Sequence, residues 1–135
     1  MAVLSLKDAS ITVNTVDLSN RANSVSVNYE IDSIEVTAFG STGHIFAGGL
    51  QNNSCEISLM QDFAAANVEA TIYGLVGTTT TLAIKATSSA TSATNPLYTI
   101  SSAYLSAHTP VAGAVGEVAM TTLSFTGGTI VKTTA

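Results

Sequence analysis

Two histidines, one cysteine and nine carboxylates are the first places in this 135-residue chain to look for chemistry. His44 and His108, with Cys55 and Asp62, are donors of the kind that hold zinc. Their spacing fits no zinc pattern, and no two of them stand at i and i+4 on an expected helix. A covalent mechanism needs a nucleophile with a base and an orienting acid in hydrogen-bond reach. No serine stands in a G-x-S-x-G turn. Cys55 alternates with Ile57 and Leu59, which marks a core-facing position on a strand more than a reactive thiol. Glu30 and Asp32, with Glu35 nearby, are paired carboxylates. Their neighbours are polar, and no aromatic pocket is evident to hold one of them protonated. The glycines form no phosphate-binding pattern. The chain lacks tryptophan and has one arginine, so carbohydrate stacking and hot-spot binding are poorly supplied. The expectation is a protein that is not an enzyme, with no catalytic residues, no cofactor and no metal.

One arrangement of the acids is organised. Asn28, Glu30 and Asp32 line one face of an expected strand, with Val27, Tyr29 and Ile31 opposite. That pattern suits a solvated face, and it equally suits a deliberately negative surface. Nine acids face Lys7, Lys85, Lys132 and Arg21, for a net charge of −5. A nucleic-acid groove needs clustered cations, because phosphate neutralisation supplies most of the affinity. No cluster is present, so tight nucleic-acid binding is not expected, whereas a surface that meets DNA and repels it fits the composition.

Only 10% of residues are charged, while 46% are hydrophobic. Soluble domains usually carry about 25% charge. No apolar stretch reaches the 18 or so residues that span a bilayer, so no membrane partner is expected. The length fits a single domain over 1–135, which in compact form would expose roughly 6,600 Å². A surface of Ser, Thr, Asn, Ala and Gly suits a subunit largely surrounded by other subunits. A lone cysteine forms no internal disulfide, and the first residues show no basic segment followed by an apolar run. Folding in a reducing cytoplasm is expected, with the Asn52-Asn53-Ser54 sequon unused.

Strand signals dominate the pattern of side chains that must position these groups. Ile11 and Val13 alternate with polar residues before a turn at 17–20. Val25, Val27, Tyr29 and Ile31 form a period-two run, and a one-residue slip at Ser33 predicts a β-bulge within a strand that continues to about Ala38. Residues 39–53, with Gly40, Gly43, Gly48 and Gly49, read as a long loop that nonetheless holds Ile45, Phe46 and Leu50. A strand follows at Cys55, Ile57 and Leu59. Asp62 as N-cap, three alanines, the Ala64, Val68, Ile72, Leu75 spacing and Gly77 as stop predict one helix, with Glu69 on its outward face. Leu82 and Ile84 open a further strand, and 87–95 reads as a mobile linker. Residues 97–107 and the Val118 to Phe125 region give two more strands, the second with a slip near Thr121, and a short one ends the chain. Seven to eight strands with one polar face each, and one helix, make a mainly β sandwich or barrel with a flanking helix.

Three segments, taken in order, resemble the tail tube (major tail) proteins of long-tailed bacteriophages and gene transfer agents. They are Asn28-Tyr29-Glu30-Ile31-Asp32-Ser33-Ile34-Glu35-Val36-Thr37; Gly48-Gly49-Leu50 running to Cys55-Glu56-Ile57-Ser58-Leu59; and Gly113-Ala114-Val115-Gly116-Glu117-Val118-Ala119 leading to Leu123-Ser124-Phe125. The order of strand pair, long loop, strand, helix and C-terminal strands matches over nearly the whole chain. The resemblance implies a β-sandwich that forms homohexameric rings, stacked into a hollow tube that conducts DNA without binding it specifically. It also implies tape measure, tail terminator and distal tail proteins as partners, with assembly in the host cytoplasm and residence in the virion. On this reading Asn28, Glu30 and Asp32 are expected to face the lumen. Ile45, Phe46 and Leu50 are expected to be inter-subunit anchors. Two other readings stay open: a capsid decoration protein, and a small cytoplasmic binding module with an apolar pocket.

Overall fold

The structure, a computed structural model, describes residues 5–64 and 67–134. Ten strands are seen: β1 (Ser10–Val13), β2 (Val16–Asp17), β3 (Ala22–Asn28), β4 (Ile31–Glu35), β5 (Phe46–Gln51), β6 (Ser54–Met60), β7 (Thr79–Lys85), β8 (Leu97–His108), β9 (Met120–Thr126) and β10 (Thr129–Thr133). Eight form one antiparallel sheet in the order β2-β1-β7-β8-β9-β6-β3, with β10 also on β8. β4 and β5 pair only with each other. A mainly β fold is therefore found, as the alternation predicts.

β8 holds the sheet together. Its first half, 97–101, pairs with β10, and its second half, 104–108, pairs with β9. β9 and β10 thus run along one edge of β8 as a single path interrupted at Gly127 and Gly128. Between the halves lies a bend. Ser102 has φ +59, and Gly128 has φ +84. A Cβ on Gly128 would stand 2.4 Å from the Ser101 carbonyl oxygen, so glycine is required for the two backbones to come this close. The bend lets one long strand serve both halves of a curled sheet, the device by which sandwich corners are made.

Curling brings all the inward faces into one cluster. Ile11 and Val13, Cys55, Ile57 and Leu59, Leu82 and Ile84, Ile100 and Leu105, and Leu123 and Phe125 pack together there. Each set is spaced by two along its strand, except across the bend. Thr121 extends the inward set of β9 with a hydroxyl, and that is the apparent slip in the sequence: the strand begins at Met120 and its phase is set from Thr121.

Several expectations require correction. The run from Val25 to Ala38 is not one strand. β3 ends at Asn28, and β4 starts at Ile31 in a different sheet. A register shift does fall between Ile31 and Ser33, next to the predicted bulge. Residues 46–51, expected within a loop, are strand β5. The helix is shorter than expected: α1 (Val68–Ile72), then a 3-10 turn at Tyr73–Leu75. Two of the three alanines, Ala65 and Ala66, lie outside the described residues. Asp62 does not cap α1. Its carboxylate accepts from the Ala64 backbone N–H and from Arg21 Nε at 2.8 Å. Those two contacts, the backbone one foremost, hold its pKa below the usual carboxylate value. Gly77, with φ +83, stops the helical stretch as expected. Segment 87–95 is a loop, but a braced one: buried Asn95 takes the Thr87 N–H and donates to the Ser89 and Ala90 carbonyls.

The chain exposes 8264 Å², about a quarter more than the ~6,600 Å² of a compact chain of this mass. The β4–β5 hairpin is the main reason, since every described residue from 28 to 50 is exposed.

Two outcomes follow from the bend and the core. Gly128→Ala should lower stability by about 2–4 kcal/mol, from left-handed strain and backbone overlap together, read from denaturant unfolding. A change within 0.5 kcal/mol would show that the two strands can part at no cost. Burial first, and the neighbouring Glu56 charge second, push the Cys55 thiol up to about 12. Iodoacetamide at pH 8 should leave Cys55 unmodified in the folded protein and alkylate it once denaturant is added. Rapid alkylation of the native chain would mean the β6 face is open.

Candidate functional site

The groups most suggestive of chemistry do come together in part, but as a structural clamp. His108, at the end of β8, has a side chain only 3% exposed. Its Nδ1 lies 2.9 Å from Thr121 Oγ1, and its Nε2 lies 2.9 Å from Glu69 Oε2. Gln61 Nε2 donates to the same carboxylate oxygen at 3.0 Å and to the Pro110 carbonyl at 2.7 Å. The order hydroxyl, imidazole, carboxylate matches that of a nucleophile with its base and orienting acid. Thr121 is fully buried, however, so no substrate reaches its oxygen. The cluster ties α1 to β8, β9 and the 109–119 loop. Glu69 accordingly turns towards the sheet and not outward as its helical phase suggests, because the helix is a single turn and follows its buried partner.

His44 is far from this cluster. It lies in the 36–45 connection, exposed, with Nδ1 against Glu35 Oε2, which also accepts from Thr37 Oγ1. Cys55 is in the core. Among the described residues no three of His, Cys, Asp and Glu stand close enough to hold a metal ion.

The hairpin is the feature that the core does not explain. Pairing sets Ile34 opposite Ala47 and Glu35 opposite Phe46, and the Val36 N–H donates to the Ile45 carbonyl at 2.8 Å. Ile34, Val36, Ile45 and Ala47 therefore share one face. Glu35, Thr37, His44 and Phe46 share the other, where the His44 and Phe46 ring centres are 6.5 Å apart. Phe39 in the connection is completely exposed at 109%. Ile45 is 50%, Phe46 61% and Leu50 81% exposed, so all three expected anchors lie outside their own core. They are not all together: Ile45 is on the face opposite Phe46. Ile34, Val36 and Phe39 belong with them, and sequence reasoning missed this. The signal was the Ile34, Val36 alternation after the slip, which marks the partner strand of a hairpin.

The expected acidic face is likewise divided. Asn28 ends β3, Glu30 lies in the two-residue connection, and Asp32 is in β4, so the three do not line one strand. Glu30 sits at the hairpin base. Its backbone N–H donates to Asn53 Oδ1 at 3.2 Å, its carbonyl accepts from the Asn52 N–H at 2.7 Å, and its carboxylate meets Asn52 Nδ2 at 3.4 Å. By alternation Asp32 falls on the Ile34 face. All three are exposed. The base is also tied to the bend: buried Asn53 donates to the Gly128 carbonyl at 3.0 Å, and Gln51 Oε1 accepts from the Ile130 N–H at 3.0 Å.

No protein-family model and no curated protein matches the sequence. Solved structures do match the fold. A chain of the anti-feeding prophage cap, described as the tube terminating cap, aligns with a TM-score of 0.72 at 13% identity, over 100% of this chain and 93% of that one. A chain of the PVC sheath-tube complex of an extracellular contractile injection system, in the extended state, gives 0.71 at 12%, over 98% and 93%. A chain of the native gene transfer agent virion gives 0.67 at 13%, over 97% and 99%. The described residues thus have the fold seen in these virion, prophage and injection-system components.

Proposed function

We propose that this chain is a structural, non-enzymatic tail tube subunit whose homohexameric rings stack into a hollow tube that conducts DNA in a phage-like particle. The observation that carries the reading is the fold likeness, which spans nearly the full length of both chains for the injection-system and gene transfer agent structures. One solved relative in fold is the tail of an empty gene transfer agent particle, refined with C6 symmetry, at a TM-score of 0.63 and 15% identity. The projecting apolar hairpin and the sparse charge support the same reading: both suit a subunit that loses most of its surface to neighbours. The partners are further copies of itself and the tape measure, terminator and distal tail proteins, with assembly in the host cytoplasm and final location in the virion tail.

In this tube Asn28, Glu30 and Asp32 face the lumen. Six copies of a −5 chain bring ~−30 to each ring, so a modest inward bias of the carboxylates makes a repulsive wall along which DNA slides. Ile45, Phe46 and Leu50, with Ile34 and Val36, are the inter-subunit anchors. Each contributes roughly 1.5–3 kcal/mol when fully buried.

Negative-stain microscopy of the purified protein should show rings or rods of uniform width; compact oligomers, or monomers at every concentration, would refute the reading. Phe46→Ser should change unfolding stability by less than about 0.5 kcal/mol, since Phe46 is exposed in the free subunit, and should abolish rod growth. Loss of the folded monomer would instead place Phe46 in the core. Replacing Glu30 and Asp32 together by Lys should leave rings intact and slow DNA delivery from the particle. A density map with both residues on the outer wall would overturn the lumen assignment.

A further inference from the structure

Two elements stand apart from the core. Among the described residues no side chain of β4 or β5 joins the core cluster, and β10 adds only Ile130, which is partly buried. β10 pairs with β8 along one edge. On its other edge the Ile130 N–H points away from β8 and reaches Gln51 Oε1 at 3.0 Å. β10 and the hairpin are not paired as strands, yet they meet at one buried side chain, Asn53, which is 1% exposed. Asn53 Oδ1 accepts the Glu30 N–H at the entry to β4. Its Nδ2 donates to Gln51 Oε1 at 2.9 Å, where β5 ends, and to the Gly128 carbonyl at 3.0 Å. Its own carbonyl accepts the Gly127 N–H at 2.8 Å. Two of these bonds go to the hairpin root and two to the glycine pair that leads into β10. Both donor hydrogens of the amide and its oxygen are thereby satisfied.

We infer that β10 is a latch on the β4–β5 hairpin: through Asn53, the strand and the hairpin order and open as one unit, apart from the core. The inference goes beyond the tube reading and does not depend on it. Segments with few buried apolar contacts open most readily, and both elements are of that kind. Gly127, with φ +76, and Gly128, with φ +84, form a hinge at which β10 can swing. β9 stays in place there, because Phe125 and Leu123 are held in the core. Neither element can leave alone without loss. Departure of β10 takes away the Gly127 N–H and the Gly128 carbonyl, and leaves a donor and a carbonyl of Asn53 buried and unpaired. Departure of the hairpin root strands the other donor, the Asn53 Oδ1 acceptor and the Ile130 N–H. Buried polar groups without partners are costly, whereas opening both elements together gives every one of these groups to water. The coupling is reciprocal, so whatever steadies the hairpin also steadies β10.

Millisecond hydrogen–deuterium exchange of the dilute, unassembled chain, read on peptides by mass spectrometry, tests the latch. Val131 pairs with Thr99 of β8 and is not part of the hairpin. Val131→Pro removes a ladder N–H. It should speed exchange roughly tenfold or more both in β10 and across residues 30–51, with β7 and β9 unchanged. Ile34→Pro, which breaks the β4–β5 pairing instead, should speed exchange in β10 by a similar factor. Gln51→Leu, which removes the acceptor shared by Asn53 and Ile130, should speed both peptides together. Faster exchange in β10 with unchanged rates at 30–51 in Val131→Pro would show that the strand opens alone, and would overturn the latch. Equal acceleration of β7 and β9 would place β10 in the core unit and overturn it as well. Neither readout involves rings or rods, so failure here leaves the tube reading standing.

Discussion

The bend at Ser102 and Gly128 is the constraint on which the rest of the subunit depends. A straight β8 would hold β10 and β9 in one flat plane and leave the inward faces of β1 and β6 without a partner. Bent, it folds the sheet until those faces meet, and the core from Ile11 to Phe125 closes around it. The same bend supplies the carbonyl of Gly128 and the N–H of Ile130 to Asn53 and Gln51. Both bonds end at the root of the hairpin, where Asn53 donates and Gln51 accepts. One local backbone choice thus sets the closure of the core and the direction in which β4 and β5 leave it.

A two-stranded ribbon is marginal in water unless something covers a face. Here none of the other described residues does. Its cross-strand contacts, the Glu35, Thr37 and His44 bonds, and the clasp at Asn53 hold its shape. Its apolar face of Ile34, Val36 and Ile45 stays in water. Ordering such a segment opposes folding by about 1–2 kcal/mol per residue, and exposed apolar side chains return little of that in the free subunit. A partner that covered this face would stabilise the hairpin by the same contacts that bound it.

Much of this was legible in the sequence. Period-two runs gave β3, β6, β7 and β9, because each has one face in the core and one in water. Apolar residues amid glycines pointed to an external surface. Residues 46–51 escaped as a strand because the periodicity signal assumes a buried face, and both faces of β5 are exposed. The helix was overestimated for the reverse reason: helical spacing was counted through Ala64, whereas Arg21 draws Asp62 into a separate turn. Contacts between residues distant in sequence, such as Glu69 with His108 or Asn53 with Gly128, leave no periodic trace and cannot be read from spacing.

Sparse charge takes on a definite meaning with the hairpin in view. Lys85 is tied to the Ser89 carbonyl, and Arg21 to Asp62, so few cations are left to solubilise the ends. Surface charge normally keeps a protein monomeric. The hairpin carries Glu30, Asp32 and Glu35 and no lysine or arginine, so its charge disfavours contact with a second hairpin. The acids of the hairpin thus bear on the specificity of any contact it makes more than on its affinity, and its exposed apolar faces are what such a contact would bury.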